Sequence, residues 1–308
     1  MPEQDAFHEP VLREDVLRFL VTNGEYVYVD GTVGGGGHAE GICKRLRGAG
    51  RLICFDADED ALVYSRNRLQ AFQQRVTFVH SNFRNLKAEL HAVNVERIHG
   101  ILLDLGVSSF QLDEGPRGFS FRADERIDMR MDRRQKMSGW TVVNRYDEKM
   151  LAEVLWKYGE ERHSRRIARK IVKARPIDST GRLSSVVESA VGKKFLIKSL
   201  ARVFQAIRIE VNDELGNLEH VLADSIDLLE PGGRIVVITY HSLEDRITKN
   251  RFKEASAQRI PSGSKYIPDA VAVPRLRVLT KTPVKAAAEE IEHNPSARSA
   301  KMRVAERL

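Results

Sequence analysis

Cysteine is scarce in this sequence, which has two among its 308 residues, Cys43 and Cys54. Two thiols are too few for a disulfide framework, and they do not form the Cys-x-x-Cys pair that is typical of zinc and redox sites. No second histidine or cysteine stands at ligand spacing from His241, so the sequence predicts no metal site. We therefore expect both cysteines to be buried packing residues in a reducing cytoplasm.

Long hydrophobic runs are also missing. No apolar run approaches the roughly 20 residues that are needed to span a bilayer. The N-terminus lacks a basic segment followed by an apolar core, which a secretion signal would contain. Hydrophobic residues nevertheless make up 42% of the chain, which is typical of a globular protein. These features argue against a membrane protein and predict a cytoplasmic one.

Negative charge is in short supply in the middle third of the chain. Residues 109–205 contain 22 Lys and Arg against 13 Asp and Glu, whereas the remainder contains 28 against 30. The formal charge of the chain is +7, and all of the positive excess lies in this segment. Such a concentration of positive charge indicates a polyanionic partner such as nucleic acid.

The stretch 29–38 joins an apolar strand end, a carboxylate and four consecutive glycines. A strand, a glycine turn and a helix bring the backbone close to a nucleotide-like ligand, and glycine permits that approach because it has no Cβ. Asp56 ends the next apolar run about twenty residues later, where a carboxylate usually binds ribose hydroxyls. The alternative, in which the glycines form only a turn, stays open.

Asp30, at the end of the first strand, favours one kind of ligand. A carboxylate at this place repels a pyrophosphate but attracts the ammonium group of S-adenosylmethionine. The sequence therefore favours a methyl donor over NAD. A nicotinamide-dependent oxidoreductase and a non-catalytic RNA-binding module remain as alternatives.

Apolar strands alternate with helical periods over the first hundred residues. After an initial helix over 12–20, the pattern predicts strands over 26–30, 51–56, 75–80 and 98–104, with helices near 38–47, 59–73 and 84–92. Such alternation indicates βαβ units and a parallel sheet. The sequence therefore belongs to the α/β class.

The strand rhythm stops after Asp104. Residues 109–140 resemble long loops. The chain is helical in character over about 147–175, and further helices are expected over 180–191 and from 196 to 215 or beyond. Strands return at 234–240 and, as a closing pair, at 276–281 and 300–305, with a helix over 243–257. We therefore predict three segments: a core over 1–108, a helical insert over 109–205 that binds RNA, and the rest of the core over 206–308.

Asp104 and His241 follow the fourth and fifth predicted strands. In doubly wound sheets the ligand lies beyond the carboxyl ends of the strands, where the strand order switches. We therefore expect Asp104 to face the same crevice as Asp30, with His241 nearby as an acid–base candidate. In the alternative, Asp104 is a helix or turn cap, and Ser242 caps the next helix with Asp245 completing a capping box.

Positive charges recur at spacings of three and four between Arg162 and Lys173, which places them along one side of a helix. This basic ridge consists of Arg162, Arg165, Arg166, Arg169, Lys170 and Lys173. We expect Arg162, Arg166, Arg169 and Lys173 to contact RNA phosphates. The alternative is a solvated face whose charges pair with acids such as Glu160 and Glu161.

Taken together, these residues resemble the bacterial ribosomal RNA small-subunit methyltransferase H family over nearly the whole chain. The matching motifs are His8–Leu12, Asp30–His38, Gly100–Ser109, Gln111–Asp113, Arg117–Phe121, Asp128–Asp132, Tyr158–Arg162, Phe204–Asn212, His241–Arg246 and Asn294–Ala300. Of these, Asp-Met-Arg-Met-Asp and His-Ser-Leu-Glu-Asp-Arg are highly specific. Two positions depart from the family: Lys198–Val203 replaces a frequent His-Pro-Ala-Thr-Arg-Thr, and Phe110 stands where proline is common.

The resemblance implies a Rossmann-like class I S-adenosylmethionine-dependent methyltransferase core with an inserted helical domain. It implies methylation of the exocyclic N4 of a cytosine in the decoding region of 16S rRNA, within the small ribosomal subunit or a late precursor, by a monomer or homodimer. Residues implied to contact the donor are Gly36, Gly37, His38, Asp56, Phe83, Asp104 and Gln111. The departures affect the expected RNA contacts and not the donor site.

Overall fold

The computed structural model describes residues 10–107, 117–260, 263 and 269–308. Over these residues the chain divides into two compact units, one formed by residues up to Gly106 with Gly216–Leu308 and the other by Val107–Leu215. The predicted insert, 109–205, falls within the second unit, and its predicted end lies inside the helix Leu196–Asn212. Several residues that the sequence analysis names lie outside the described residues: His8, Ser109, Phe110 and Gln111–Asp113.

The first unit contains a seven-stranded sheet in the order β3-β2-β1-β4-β5-β9-β8. The strands of the chain are β1 Val27–Asp30, β2 Arg51–Asp56, β3 Val76–His80, β4 Ile98–Asp104, β5 Leu229–Thr239, β6 Arg259–Ile260, β7 Ala270–Val271, β8 Leu276–Val278 and β9 Lys301–Arg307. β1 to β5 run parallel, whereas β9 is antiparallel to both β5 and β8. The predicted α/β class, the parallel sheet and the closing strand pair are confirmed.

Helices connect the strands and form most of the second unit. They are α1 Arg13–Leu20, α2 Gly37–Cys43, α3 Glu59–Arg68, α4 Leu86–Ala92, α5 Gly139–Arg145, α6 Glu148–Lys157, α7 Ser164–Ala174, α8 Thr180–Val191, α9 Leu196–Asn212, α10 Glu214–Leu228, α11 Ser242–Ala255 and α12 Ala288–His293. In the described ranges, none of them has both the length and the apolar character that a membrane crossing requires.

Successive side chains of the central strands enter two different apolar clusters, because side chains alternate across a strand. Tyr28 and Cys54 belong to the cluster that includes α1 and α2, whereas Val29 and Phe55 belong to the cluster that includes α4 and α10. Both faces of the sheet are thus covered, which explains the nearly continuous apolar runs. Cys43 and Cys54 are free and buried, as expected.

The second unit is built from helices around its own apolar cluster, which includes Leu155, Ile167 and Phe204. The helical character predicted over 147–175 is confirmed, but the chain forms two helices there, α6 and α7, with a turn between them. Gly159 lies in this turn, where an added Cβ would stand 2.6 Å from the Arg202 carbonyl oxygen, and the next residue, Glu160, has a left-handed φ of +49°. The sequence has no apolar residue between Tyr158 and Ile167, so the apolar period stops at this turn.

Candidate active site

Three aspartates lie at the carboxyl ends of neighbouring strands. Asp30 ends β1, Asp56 ends β2 and Asp104 ends β4, and β1 lies between the other two strands. The order of the strands switches between β1 and β4, which is where doubly wound sheets bind their ligands. The structure brings Asp30 and Asp104 together at this edge, because the Asp104 N–H donates to Thr32 Oγ1 at 2.8 Å, two residues beyond Asp30.

The glycine loop after β1 has a backbone that glycine adopts with little strain. Gly34 and Gly36 have φ values of +48° and +76°, in the left-handed region. Gly36 is the N-cap residue of α2, and an added Cβ would stand 3.3 Å from the Ser65 Cβ on α3. Glycine at position 36 therefore satisfies both the conformation of the loop and the space beside it.

Two side chains fasten this loop. Asp56 Oδ2 accepts the Gly34 N–H at 2.9 Å and so ties the loop to the end of β2. Arg68 on α3 donates to the Gly35 carbonyl oxygen at 3.3 Å and to Glu40 Oε2 on α2 at 2.9 Å. Sequence reasoning missed Arg68, since only the fold reveals that a helix thirty residues away reaches the loop.

Asp30 is 1% exposed. Burial raises its pKa from 3.8 to about 7, although His38 and the Thr32 N–H oppose that shift. The neighbouring carboxylates of Asp104 and Asp56 raise it further. Asp30 Oδ1 accepts the Thr32 N–H at 3.1 Å. The other oxygen, Oδ2, is buried and has no hydrogen-bond partner among the described residues.

Asp56 differs from Asp30 because both of its oxygens accept backbone N–H groups. Gly34 donates to Oδ2 and Asp58 donates to Oδ1, each at 2.9 Å. Burial raises the pKa of Asp56 to about 6, and these hydrogen bonds limit the rise. Each oxygen keeps a second lone pair, so the predicted contact with ribose hydroxyls is compatible with this arrangement and stays a prediction.

Asp104 is held from two sides. Tyr240, which follows β5, donates its hydroxyl to Asp104 Oδ1 at 2.9 Å. Asp104 Oδ2 lies 3.5 Å from His38 Nε2 on α2, which is longer than a good hydrogen bond. One carboxylate oxygen is thus fixed while the other faces the buried imidazole.

His241 forms the N-cap of α11. Its Nδ1 accepts the Glu244 N–H at 3.4 Å, and Glu244 Oε2 accepts the His241 N–H at 3.2 Å, which completes a capping box. The alternative with Ser242 as the cap and Asp245 in the box is wrong by one residue. The expectation of a capping box at the start of this helix is confirmed, with His241 and Glu244 as its members. The catalytic role of His241 stays a prediction.

The remaining predicted donor contacts are placed only in part. Phe83 begins a 3-10 helix after β3. A Cβ added to Gly31, the residue that follows β1, would stand 3.7 Å from the Cβ of Phe83. Phe83 therefore stands beside the start of the glycine loop. Gln111 lies outside the described residues, so its predicted contact stays a prediction.

Unpartnered buried atoms test whether the site fits a methyl donor. Asp30 Oδ2 and both ring nitrogens of His38 are buried and form no hydrogen bond within the described part of the chain. Buried polar atoms are costly unless a ligand or water completes them. A buried carboxylate oxygen beside bare glycine backbone suits a ligand that brings an ammonium group. The residues present therefore fit S-adenosylmethionine.

The basic ridge lies mainly on α7. The buried side of this helix carries Ile167, Ala168 and Ile171, whereas all six ridge residues are exposed. Of the six ridge residues, Arg169 forms an ion pair with another described residue: its Nε lies 3.3 Å from Glu148 Oε1. Glu161, which the alternative of a solvated face names as a partner of the ridge, is 1% exposed and lies 3.7 Å from Arg202. Glu161 therefore does not neutralise the ridge.

The sheet order, the carboxylates at the strand ends and the glycine loop define the class: a Rossmann-like class I methyltransferase core. The model of the MraW methylase family matches residues 5–308, and the chain belongs to this family. Two similar proteins named ribosomal RNA small subunit methyltransferase H come from Finegoldia magna and Clostridioides difficile. Each is 44% identical over 98% of this chain, and the matches cover 98% and 99% of those proteins.

Among solved structures, an rRNA methylase from Streptococcus thermophilus is 11% identical to this chain, with a TM-score of 0.43. That match covers 96% of this chain and 93% of the other.

The buried carboxyl of Asp30 makes a prediction for stability. Because its folded pKa is about 7 and its ordinary value 3.8, the folded state holds a proton that the unfolded state loses between these values. The free energy of unfolding therefore falls as pH rises through this window. Asp30→Asn retains an acceptor for Thr32 and has no such penalty. Its stability relative to the unmodified protein should grow by roughly 2–3 kcal/mol between pH 5 and pH 8.

Urea unfolding of both proteins at several pH values measures this difference. Glu219→Gln, on the exposed side of α10, provides the control for losing one surface charge. A difference between Asp30→Asn and the unmodified protein that does not change with pH would show that Asp30 is ionised in the folded chain throughout.

Proposed function

We propose that this chain transfers the methyl group of S-adenosylmethionine to the exocyclic N4 of a cytosine in 16S rRNA, cytosine 1402 of the decoding region. Its substrate is the rRNA within the small ribosomal subunit or a late precursor. The observation that carries this proposal is the open Oδ2 of buried Asp30 beside the glycine loop. The full-length similarity to small-subunit rRNA methyltransferases supports the choice of substrate.

In this proposal the donor lies across the carboxyl ends of β1, β2 and β4. Asp30 Oδ2 accepts a hydrogen bond from the ammonium group of the methionine moiety, because it is a buried carboxylate oxygen at this strand end that lacks a partner within the described ranges. Asp56 accepts the ribose hydroxyls with its remaining lone pairs. Further contacts come from Gly36, Gly37, His38, Phe83 and Gln111.

Bound S-adenosylmethionine supplies a methyl group on a sulfonium cation. The acceptor nitrogen is weakly nucleophilic, because its lone pair is delocalised into the cytosine ring. Hydrogen-bond acceptors on its N–H groups help to localise that pair and stabilise the positive charge that develops. Asp104 Oδ2 is our first candidate for this role, and the contact of Tyr240 with Oδ1 alone supports this choice. The carbonyl oxygens of Leu105 and Gly106 are further candidates, and His241 is a secondary one.

The cytosine has to leave its stack before its amino group can reach the crevice. The methylated nitrogen carries a positive charge and loses a proton easily, so no strong base is required. Asp104 Oδ2 accepts this proton. Gly106, with φ of +101°, lies two residues after Asp104, where the chain turns. The strand end and this turn together offer acceptors to the same amino group.

Asp104→Asn tests the chemical step. The amide oxygen replaces Oδ1 as the acceptor of the Tyr240 hydroxyl, so the amide NH2 group points to the place of Oδ2 and opposes the cytosine amine. We expect the single-turnover rate on small-subunit RNA to fall about 100-fold, with a much smaller change in donor affinity. Mass mapping of methylated nucleosides measures the product.

Thr141→Val, which removes a hydroxyl near the start of α5, is the control for an unrelated polar substitution. An unchanged rate in Asp104→Asn would make Asp104 a structural cap. Binding of small-subunit RNA without methylation by the unmodified chain would instead favour a non-catalytic RNA-binding module.

We also propose that the basic ridge binds RNA phosphates through Arg162, Arg166, Arg169 and Lys173. All four side chains are exposed. The ion pair of Arg169 with Glu148 joins side chains that are 62% and 45% exposed, and such exposed pairs contribute only about 0–1 kcal/mol. A phosphate can therefore replace this partner at little cost. The ridge residues remain available to a polyanion.

Reversal of Arg166, Arg169 and Lys173 to Glu should weaken RNA binding and flatten its dependence on salt. Each phosphate contact contributes roughly 0.7–0.9 to the slope of log affinity against log salt concentration, so the slope should fall by roughly 2 to 3. Fluorescence anisotropy at several salt concentrations measures both quantities. Donor affinity should be unchanged, because these residues lie in the other unit.

The matched control reverses Arg47, Lys249 and Lys253, which are exposed cations of the first unit. It makes the same change in net charge and should leave the slope nearly intact. A ridge variant with the original affinity and slope would move the RNA contact elsewhere, to Lys193, Lys194 and Lys198.

A further inference from the structure

We propose that Tyr240 is a positioning residue for methyl transfer: its hydroxyl holds the Asp104 carboxylate so that Oδ2 faces the amino group of the base. This inference rests on the proposed function of Asp104 and adds a residue to it. The next residue, His241, is the candidate that the sequence favours, but its ring is engaged in the cap of α11.

The contact between Tyr240 and Asp104 is direct and follows from the strand register. Asp104 pairs with Ile238 across β4 and β5, so Tyr240 lies two residues further along the neighbouring strand end. Its hydroxyl donates to Asp104 Oδ1 at 2.9 Å. Burial and the Asp104 carboxylate raise the pKa of Tyr240 well above its ordinary value. The hydroxyl therefore stays protonated and acts as the donor.

The Tyr240 backbone is held as firmly as its hydroxyl. Glu244 Oε2 accepts the N–H groups of Tyr240 and His241 at 2.9 and 3.2 Å, and Glu244 is 2% exposed. The ring lies beside Gly106, where an added Cβ would stand 3.4 Å from Tyr240 Cδ2. The first turn of α11 and the turn after β4 thus fix the position from which the hydroxyl reaches Asp104.

A carboxylate held at one oxygen presents the other in a defined direction. The Asp104 backbone is fastened as well, because its N–H donates to Thr32 Oγ1 at 2.8 Å. Oδ2 then lies 3.5 Å from His38 Nε2, and no described residue donates a short hydrogen bond to it. Without the hydroxyl, the carboxylate is free to rotate about its last torsion, and the acceptor loses its fixed geometry.

Tyr240→Phe removes the hydroxyl and keeps the ring. We expect the single-turnover rate to fall about tenfold to a hundredfold, as for a misplaced reacting group, while the affinities for S-adenosylmethionine and RNA change less than about twofold. The matched control is Tyr28→Phe on β1, because the hydroxyl of this tyrosine contacts residues that precede the strand. The Tyr28 hydroxyl accepts the Thr22 and Asn23 N–H groups at 3.1 Å, so its loss should lower stability and leave the rate unchanged.

A double-mutant cycle separates positioning from a general structural effect. In the Asp104→Asn background, Tyr240→Phe should cause no further loss of rate, because the hydroxyl acts only through the Asp104 side chain. It should even restore some activity, since the amide is no longer held with its NH2 group toward the base. Losses that multiply independently would overturn the role of Tyr240 and leave the proposed function intact.

Two other outcomes are distinguishable. Full activity of Asp104→Asn would overturn the roles of Asp104 and Tyr240 but leave the chain a methyltransferase. A complete lack of methylation by the unmodified chain would overturn the proposed function itself, and the role of Tyr240 with it.

Discussion

The site depends on one electrostatic constraint: three aspartates end adjacent parallel strands, and the middle one, Asp30, is buried. The strand order β2-β1-β4 forces these carboxyl groups together, and burial with mutual repulsion raises the pKa of Asp30 to about 7. Burying Asp30 beside two other carboxyl groups costs free energy of folding. Carboxyl groups with perturbed pKa values are concentrated at functional sites. A bound ligand with a positive charge offsets the repulsion among these carboxyl groups.

The three carboxyl groups differ in their hydrogen-bond partners. Backbone N–H groups occupy both oxygens of Asp56, which fastens the glycine loop. Asp30 keeps one oxygen without a partner among the described residues. Asp104 has one oxygen held by Tyr240 and the other facing His38. In our proposal the same residue type therefore has three roles: Asp56 anchors the loop, Asp30 binds the donor's ammonium group and Asp104 accepts a hydrogen bond from the substrate amine.

Much of this arrangement could be predicted from the sequence, because strand periodicity and strand ends are local signals. The bounds of β2 and β4 agree with their predicted ranges, and the shared edge of Asp30 and Asp104 follows from βαβ topology. The contacts of Tyr240 and Arg68 could not be predicted, since each joins residues that are distant in sequence. The α11 cap was misplaced because His241 and Ser242 are adjacent and both can accept an N–H group.

Difference infrared spectroscopy of the carboxyl groups tests the central claim most directly. At pH 6.5, Asp30 should be largely protonated and should give a carbonyl band of a neutral acid in a dry environment. S-adenosylmethionine should abolish this band, because an ammonium group beside Asp30 favours its ionised form. Asp30→Asn should lack the band with and without the donor. A band that persists after donor binding, or that survives in Asp30→Asn, would contradict the account of Asp30 as the receptor for the donor's positive charge.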